Sequence, residues 1–520
     1  MQTDAEVHMS ALDRLTQSAR DNGVAALADG NDRERFGTLL IDGEHRAGSG
    51  ERFTVLHPAS NEAVGSVACA TAGEVDEAVR AARRAFDDGP WPTMRASERR
   101  RLLLRIAEAI DAHGDELTLL QTLENGVPLS FSWTSRLSGH FPADIFEYHA
   151  GWIDKLGGET YPQYTQSSDL QFISQREPVG VVAAVSPWNG PLMQMANKIA
   201  PALAAGCTAV VKPSEQASLA ILRMIEVIQE TDLPSGVLNV VTGIGVPTGD
   251  RLISHNGVDK VSFTGSKAVG SRILEASAST IKRVTLELGG KSAGIVFPDA
   301  DLELAADAIM SVLALGLSGQ VCTSQTRALV HRSVHDAFIE AARRVCERAR
   351  FGSPFDPETT SAAIVNRKQM TRVLDYVERA VGNGAELVCG GRQLTEGGLA
   401  DGNFVAPTIL ARVDNDMRIA REEIFGPVLV VIPFSTEEEA ITIANDSEYG
   451  LSGGVYTQNI GRGLRVAKAV RTGSVGVNGY TFLPNAPNGG FKSSGLGREG
   501  GRPSIEAYTE LKTIMLNTRA

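Results

Sequence analysis

Apolar residues recur at three- and four-residue spacing in the first third of the chain. This spacing runs through EVDEAVRAARRAF (74–86) and again through 98–126, and it is typical of amphipathic helices that bury one face. A stretch with Gly and Pro, 89–92, separates the two segments. The arginine-rich part, 95–105, also carries a leucine face. We therefore interpret its arginines as the solvated side of a helix rather than as a nucleic-acid-binding patch.

Beyond residue 177 the pattern changes to short apolar runs rich in β-branched residues. Four such runs cover 179–185, 207–213, 237–243 and 259–265, with helical segments such as 217–231 between them. Continuous apolar runs are typical of strands buried on both faces, and their alternation with helices indicates a parallel sheet. The sequence therefore predicts an α/β fold with a doubly wound sheet.

A second set of buried runs follows in the later half of the chain. It covers 292–298, 326–333, 427–434 and 473–479. These runs again have the length and composition of buried strands. Because a chain of 520 residues can bury more than one core, we expect a second α/β unit here.

Net charge and hydropathy argue against nucleic acid and membrane as partners. The formal charge is −12, which argues against non-specific binding to nucleic acid. The longest apolar stretches, such as 179–188, are too short to span a bilayer. The N-terminus has no basic leader followed by an apolar block. We expect a protein that contacts neither nucleic acid nor membrane.

The five cysteines are scattered along the chain. They form no CxxC pair and no Cys/His cluster with metal-ligand spacing, so we expect free thiols in a reducing cytoplasm and no metal site. Cys322 differs from the others, because it lies in GQVCTSQTR (319–327), a polar connection that can present a nucleophilic thiol to a cleft. The others are interpreted as small buried hydrophobes: Cys69, Cys207, Cys346 and Cys389.

Glu287 is the candidate general base. It ends the apolar run RVTLELGG (283–290), and the glycines after it allow a sharp turn and leave room for water. A carboxylate partly removed from water has a raised proton affinity, which suits a base near neutral pH. The alternative is a strand-end carboxylate with satisfied hydrogen bonds, and a thiol nucleophile elsewhere in the chain favours the base.

The glycine-rich stretch FTGSKAVG (263–270) joins an apolar run to a helical one. Glycines let the backbone approach a pyrophosphate, and a helix N-terminus offers unpaired N–H groups to it. The spacing from Gly265 to Gly270 departs from GxGxxG. On this motif alone, an ordinary strand-to-helix turn is an equal alternative.

Five motifs in this order resemble the aldehyde dehydrogenase superfamily. The resemblance runs from about Leu39 to about Lys512. The motifs are SPWN (186–189), VKPSE (211–215), FTGSKAVG (263–270), ELGGK (287–291) and GQVCTSQTR (319–327).

The resemblance implies domain boundaries that the hydrophobic periodicity alone does not predict. Residues 1–36 precede it, and we interpret them as a mobile extension with a possible helix over 10–20. The implied parts are a Rossmann-type cofactor domain (37–156 and 177–289), an α/β catalytic domain (290–490) and a small β oligomerisation element (157–176 and 491–520).

The resemblance also implies NAD as the cofactor. Lys212 and Glu215 would flank the adenosine ribose, where a carboxylate accepts hydrogen bonds from both hydroxyls and repels a 2′-phosphate. This favours NAD over NADP, although the positive charge of Lys212 could partly offset the repulsion of the 2′-phosphate. Glu423 would hold the nicotinamide ribose and Phe425 would pack beside the ring. The other implied cofactor residues are Trp188, Gly245, Gly265, Ser266, Gly270 and Leu288.

By the same resemblance, Cys322 attacks the aldehyde carbon. The side-chain amide of Asn189 and the backbone N–H of Cys322 would stabilise the oxyanion. Loss of hydride to the nicotinamide leaves a thioester, for whose hydrolysis Glu287 activates water. Lys198 and Glu499 match positions linked to proton relay or to support of the site.

The leading hypothesis is NAD-dependent oxidation of an aldehyde to the carboxylic acid, and two alternatives remain. One is transfer of the acyl group to coenzyme A, but members of that kind generally lack the hydrolytic glutamate. The other is a catalytically silent structural homologue. Retention of Cys322, Glu287, Asn189 and Glu423 argues against it.

The expected substrate pocket departs from the family pattern. Members that prefer small aliphatic aldehydes carry aromatic rings at three positions, which here are Gly190, Asn197 and Asn488, with Gln194 on the same helix face. We therefore expect a wide, polar tunnel and a bulky or polar-substituted aldehyde. Val321 and Thr323, on either side of the nucleophile, complete the expected pocket. Alternatively, Phe482, Leu483 or Trp133 refills the space.

The C-terminal tail AYTELKTIMLN (507–517) ends in an apolar run compatible with a strand. A monomer would leave such a strand exposed, and the family uses it to extend a neighbouring subunit's sheet. We expect a homodimer or homotetramer.

Overall fold

The computed structural model describes residues 38–164 and 169–518. The extension 1–36, with its expected helix over 10–20, lies outside the described residues. Within them, no helix combines the length and apolarity needed to cross a membrane.

An eight-stranded sheet forms the first core. Its five central strands run parallel in the order β9, β8, β7, β10, β11, the order of a doubly wound dinucleotide-binding sheet. This confirms the four strands predicted beyond residue 177. The eight strands are β1 (Leu39–Ile41), β2 (Glu44–Arg46), β7 (Val181–Val185), β8 (Thr208–Lys212), β9 (Leu238–Val240), β10 (Lys260–Thr264), β11 (Arg283–Glu287) and β21 (Gly495–Leu496).

Helices cover both faces of this sheet. In β7, Val182 and Ala184 pack on one side while Val181 and Ala183 pack on the other, and all four are fully buried. The continuous apolar pattern arises because successive side chains of a strand point to opposite faces. The helices of this half are α1 (Ala72–Asp87), α2 (Ala96–Ala112), α3 (Gly114–Asn125), α4 (Leu129–Thr134), α5 (Phe141–Ala150), α6 (Pro191–Ala205), α7 (Leu219–Gln229), α8 (Asp250–Ser254), α9 (Lys267–Ala278) and α16 (Gly501–Glu506).

The single helical pattern over 98–126 is divided in the structure. Helix α2 ends at Ala112 and α3 begins at Gly114. The ring of His113 lies 2.9 Å from the carbonyl oxygen of Ala109. Gly114 packs so closely on His140 that a β-carbon there would come within 2.3 Å of its ring. The apolar spacing continues across this break, so periodicity did not reveal it.

A seven-stranded sheet, parallel except for β14 at one edge, forms the second core. This confirms the second α/β unit, although the expected strand over 473–479 is only two residues long. The strands are β12 (Ala293–Val296), β13 (Arg327–His331), β14 (Glu386–Cys389), β15 (Thr408–Ala411), β16 (Val428–Phe434), β18 (Gly453–Tyr456) and β19 (Gly476–Val477). Its helices are α10 (Leu302–Ala314), α11 (His335–Glu347), α12 (Arg367–Gly382), α13 (Arg418–Arg421), α14 (Glu437–Asn445) and α15 (Ile460–Ala469).

A three-stranded antiparallel sheet contains the C-terminal tail. Thr509 lies opposite Pro178 and Asn517 opposite Leu170, so the tail pairs along its whole length. Earlier parts of 491–520 pair elsewhere, since β21 joins the first sheet. The three strands are β5 (Thr160–Tyr161), β6 (Leu170–Pro178) and β22 (Thr509–Asn517); two further pairs are β3 (Arg52–Leu56) with β4 (Ala63–Ala68), and β17 (Tyr449–Gly450) with β20 (Phe491–Lys492).

Candidate active site

A cavity of about 180 Å³ lies at the carboxyl ends of β7, β10 and β11. In a parallel sheet these ends lie along one edge, where ligands usually bind. Nine of the predicted site residues line the cavity together. They are Trp188, Asn189, Gly265, Ser266, Glu287, Leu288, Cys322, Glu423 and Phe425.

Cys322 lies on the loop between α10 and β13 and is half-buried. Burial, followed by the negative charges of Glu423 and Glu287, raises the pKa of its thiol to about 12. The sulfur is therefore protonated at neutral pH in this state. To act as a nucleophile it must lose its proton to a base, or be stabilised as thiolate by a cation.

Glu287 ends β11 and is buried, with one carboxylate oxygen, Oε1, lacking a protein hydrogen-bond partner. Burial raises the pKa of this carboxyl well above its usual range, and the charge of Glu499 adds to the effect. Gly489 has a φ of +150°, and a β-carbon there would lie 2.5 Å from Oε1. A larger residue at this position would be strained and would displace the carboxylate. These features suit a base that accepts a proton from water.

Lys198 and Glu499 form a fully buried ion pair beside Glu287. The Lys198 Nζ lies 2.5 Å from Glu499 Oε1 and donates a hydrogen bond of 2.6 Å to Thr264 Oγ1. The positive charge of Lys198 partly opposes the rise in the Glu287 pKa. The two residues named only through the resemblance thus act electrostatically on the candidate base.

Asn189 directly follows Trp188 at the mouth of the cavity. Its amide Nδ2 donates a hydrogen bond of 2.8 Å to the carbonyl oxygen of Gln320, two residues before Cys322. This bond uses one of the two amide hydrogens. The second remains available for another acceptor.

On the opposite side of Cys322, Glu423 and Phe425 line the cavity. Glu423 accepts a 3.0 Å hydrogen bond from the Gly290 N–H, and burial raises its pKa. A β-carbon at Gly289 would come within 2.1 Å of the Glu423 carboxylate, so a larger residue there would displace this side chain. The Phe425 ring meets the Trp188 ring edge-on, with centroids 5.4 Å apart.

The glycine-rich turn opens helix α9. Ser266 precedes the helix and accepts a hydrogen bond of 3.4 Å from the Val269 N–H. Gly265 and Ser266 stay accessible, whereas Gly270 is buried. A β-carbon at Gly270 would meet Leu288 at 2.8 Å. The accessible helix end suits a phosphate group.

Besides the buried Gly270, three predicted cofactor residues lie outside this cavity. Burial lowers the pKa of Lys212, against the opposing charge of Glu215, and its Nζ donates a 3.0 Å hydrogen bond to the carbonyl of Pro213. Glu215 lines a separate cavity of about 570 Å³. Gly245 is exposed and begins an irregular turn, Gly245–Gly249.

Sequence reasoning missed two cavity residues on α12, Gln369 and Arg372. Gln369 Nε2 donates hydrogen bonds of 2.9 Å to the carbonyl oxygens of Ile424 and Phe425. Arg372 donates a 2.7 Å hydrogen bond to the Glu423 carbonyl. Together they hold the loop that carries the predicted cofactor residues. An amphipathic helix gives no local signal for such contacts.

Helix α6 carries the polar residues of the expected substrate pocket. Gln194 Oε1 and Asn197 Oδ1 are both buried without a protein hydrogen-bond partner. Leu137, which sequence reasoning also missed, lies beside Gly190. A β-carbon at Gly190 would be 3.2 Å from the Leu137 side chain. Leucine, rather than an aromatic ring, therefore occupies the space beside Gly190.

The remaining residues of the expected pocket are Val321 and Thr323, on either side of Cys322 in the chain, and Asn488. Val321 packs against a small apolar cluster that contains Leu137, and Thr323 is half-buried on the other side of Cys322. Asn488 exchanges two backbone hydrogen bonds with Glu499, of 2.7 and 2.8 Å.

Comparison with known proteins identifies the family. The aldehyde dehydrogenase family model matches residues 45–514. The chain belongs to the aldehyde dehydrogenase family. It is 40% identical to betaine aldehyde dehydrogenase of Bacillus subtilis, over 93% of this chain and 98% of that protein. It is 41% identical to aldehyde dehydrogenase 1 of Tanacetum cinerariifolium, over 94% and 97%.

A solved aldehyde dehydrogenase structure shares the whole fold. Betaine aldehyde dehydrogenase of Staphylococcus aureus, in complex with NAD⁺, has a TM-score of 0.92 and 36% identity, covering 97% of this chain and 98% of that one. The residues of the present aldehyde dehydrogenase fit the same cofactor. The accessible N-terminus of α9 suits the pyrophosphate, and the recessed Glu423 carboxylate suits a ribose hydroxyl.

Proposed function

We propose that this aldehyde dehydrogenase oxidises a bulky or polar-substituted aldehyde to the carboxylic acid with NAD, through a thiohemiacetal and a thioester on Cys322. The observation that supports the proposal most strongly is the shared cavity. It contains the thiol, the carboxylate of Glu287 and the amide of Asn189, together with Glu423 and Phe425 on the cofactor side.

In the first step the Cys322 sulfur attacks the aldehyde carbon. The carbonyl oxygen becomes negative, and the free hydrogen of the Asn189 amide and the Cys322 backbone N–H stabilise it. The thiol proton passes to solvent as the carbon–sulfur bond forms, so this step does not require Glu287 as its base. When bound, NAD supplies the acceptor for the hydride that leaves the same carbon.

In the second step the thioester is hydrolysed. Glu287, with Oε1 free of protein hydrogen bonds, accepts a proton from water as the water attacks the acyl carbon. The buried Lys198–Glu499 pair fixes the local charge around this carboxylate. The presence of Glu287 also supports hydrolysis over transfer to coenzyme A.

One assay tests the proposal. Absorbance at 340 nm is followed with NAD and a panel of aldehydes, with and without coenzyme A. We expect NADH formation that does not require coenzyme A. A strict requirement for coenzyme A would support the acylating alternative, and no NADH with any aldehyde would support the silent homologue.

We propose that Glu215 selects NAD over NADP. Changing Glu215 to Gln removes a hydrogen-bond acceptor for the ribose and a charge that repels the 2′-phosphate. We expect the ratio of kcat/KM for NAD to that for NADP to fall by about 10-fold or more. Steady-state kinetics with both cofactors measures this, with the exposed Glu51→Gln as control. A wild-type preference for NADP would contradict the proposal.

We propose that Asn488 contributes to a wide pocket. Asn488→Phe adds ring volume and removes an amide. We expect kcat/KM to fall by about 10-fold for a bulky aromatic aldehyde and to rise for acetaldehyde. Asn485→Phe, at an exposed position of the same loop, should change neither value. Wild-type efficiency with acetaldehyde equal to that with the bulky aldehyde would contradict the wide-pocket proposal.

We propose that the protein is a cytoplasmic homodimer or homotetramer. The cysteines of the described residues are all free, including the nucleophile, which suits a reducing compartment. Edge strand β22 exposes 59% of Leu511 and 63% of Met515, an apolar edge that a second copy would cover. Light scattering at micromolar concentration should give a multiple of 55.3 kDa, and the monomer mass alone would contradict this.

A further inference from the structure

Arg136 is a half-buried cation without an acidic partner. It follows α4, and no carboxylate of the described residues lies within ion-pair distance of its guanidinium. Its Nη2 donates a hydrogen bond to Thr481 Oγ1. The rings of Phe141 and Phe482 lie 5.9 and 5.7 Å from its guanidinium carbon. A guanidinium packed against aromatic rings keeps its edge N–H groups for a planar anion.

The backbone connects Arg136 to the substrate side of the site. The next residue, Leu137, contacts Gly190 and shares an apolar cluster with Val321, the neighbour of Cys322. Thr481 and Phe482 begin the loop that continues to Asn488. Arg136 therefore precedes the residue beside Gly190 and contacts the start of the loop that carries Asn488.

The electrostatics of this position favour an anion. Burial lowers the pKa of Arg136, but a guanidinium remains charged at neutral pH because its usual pKa exceeds 12. A partly desolvated cation without an acid nearby is an unfavourable arrangement for stability alone. A bound carboxylate would compensate the charge with strong, paired hydrogen bonds.

We propose that Arg136 binds a carboxylate carried by the aldehyde substrate, at the end remote from the reacting carbonyl. This inference rests on the proposed function and specifies its substrate as an aldehydic acid. The same charge disfavours a cationic aldehyde. The pocket would thus reject a quaternary ammonium aldehyde such as the betaine aldehyde named for the relatives.

A matched substrate pair tests the proposal on the full enzyme. The pair is 4-carboxybenzaldehyde, which is anionic, and its neutral methyl ester, methyl 4-formylbenzoate. We expect wild-type kcat/KM to be higher for the acid, and to fall with added salt for the acid alone. In Arg136→Leu, kcat/KM for the acid should fall by about 10- to 100-fold while that for the ester stays within about 3-fold. Arg136→Lys should retain part of the preference.

The control variant is Arg502→Leu. Arg502 also lies over an aromatic ring, that of Trp152, but it pairs with Glu506. Arg502→Leu should not lower kcat/KM for the acid more than kcat/KM for the ester. Because the ester reports on the integrity of every variant, equal losses for both substrates in Arg136→Leu would overturn the proposal, as would a wild-type enzyme that prefers the ester. A wild type that oxidises no aldehyde would instead overturn the proposed function.

Discussion

Replacing Cys322 with Ala is expected to lower steady-state aldehyde oxidation by at least about 10,000-fold, while NAD still binds. In the proposed mechanism the thiol forms the covalent bond to the substrate, and no other cysteine lines the cavity. The cofactor contacts proposed for Glu423 and Phe425 do not involve the sulfur. Turnover is measured at 340 nm and NAD binding by calorimetry.

The control for this variant is Cys389→Ala. Cys389 is half-buried on edge strand β14, and its Sγ lies 3.9 Å from that of Cys346. We expect its removal to leave turnover within a factor of about two. Substantial turnover by purified Cys322→Ala would remove the basis for a covalent mechanism.

Replacing Glu287 with Gln is expected to separate the two half-reactions. The first NADH should still form, but hydrolysis of the thioester should slow by about 100- to 10,000-fold, because an amide cannot accept the proton of the attacking water. Stopped-flow absorbance should therefore show a burst of about one NADH per site followed by slow turnover. An undiminished steady-state rate would exclude Glu287 as the base.

The pH dependence follows from the raised pKa of Glu287. A base must be deprotonated, so wild-type hydrolysis should fall as the pH drops through this raised pKa, and that dependence should disappear in Glu287→Gln. The substitution also removes a negative charge that raises the pKa of the Cys322 thiol. Alkylation of the cofactor-free variant at fixed pH should be faster than in wild type. Glu347→Gln, at the exposed end of α11, is the matched control.

Much of the site was predictable because parallel strands gather their carboxyl ends. The motifs containing Asn189, Gly265 and Glu287 each follow a buried apolar run, and β7, β10 and β11 are neighbours in the sheet. Local pattern therefore located the strand ends, and topology brought them together. The position of Cys322 opposite them required the motif resemblance, since a polar loop has no periodicity to place it.

Contacts between distant segments could not be predicted in this way. Lys198 and Glu499 are 301 positions apart in the sequence. The local sequence around neither residue predicts a buried ion pair. Gln369 and Arg372 likewise lie on a helix whose amphipathic pattern reports only its buried face. Leu137 packs beside Gly190. This contact depends on the shapes of both segments, so neither local sequence predicts it alone.

If Asn488 lines the substrate pocket and Glu287 is the base, as proposed, the segment around Asn488 limits how independently substrate choice and turnover can evolve. Asn488 forms two backbone hydrogen bonds with Glu499, the ion-pair partner of Lys198. The adjacent Gly489 lies directly beside the Glu287 carboxylate. A substitution that reshapes the pocket here also moves the surroundings of the base. Redesign of specificity at this segment thus entails a trade-off with acyl-enzyme hydrolysis.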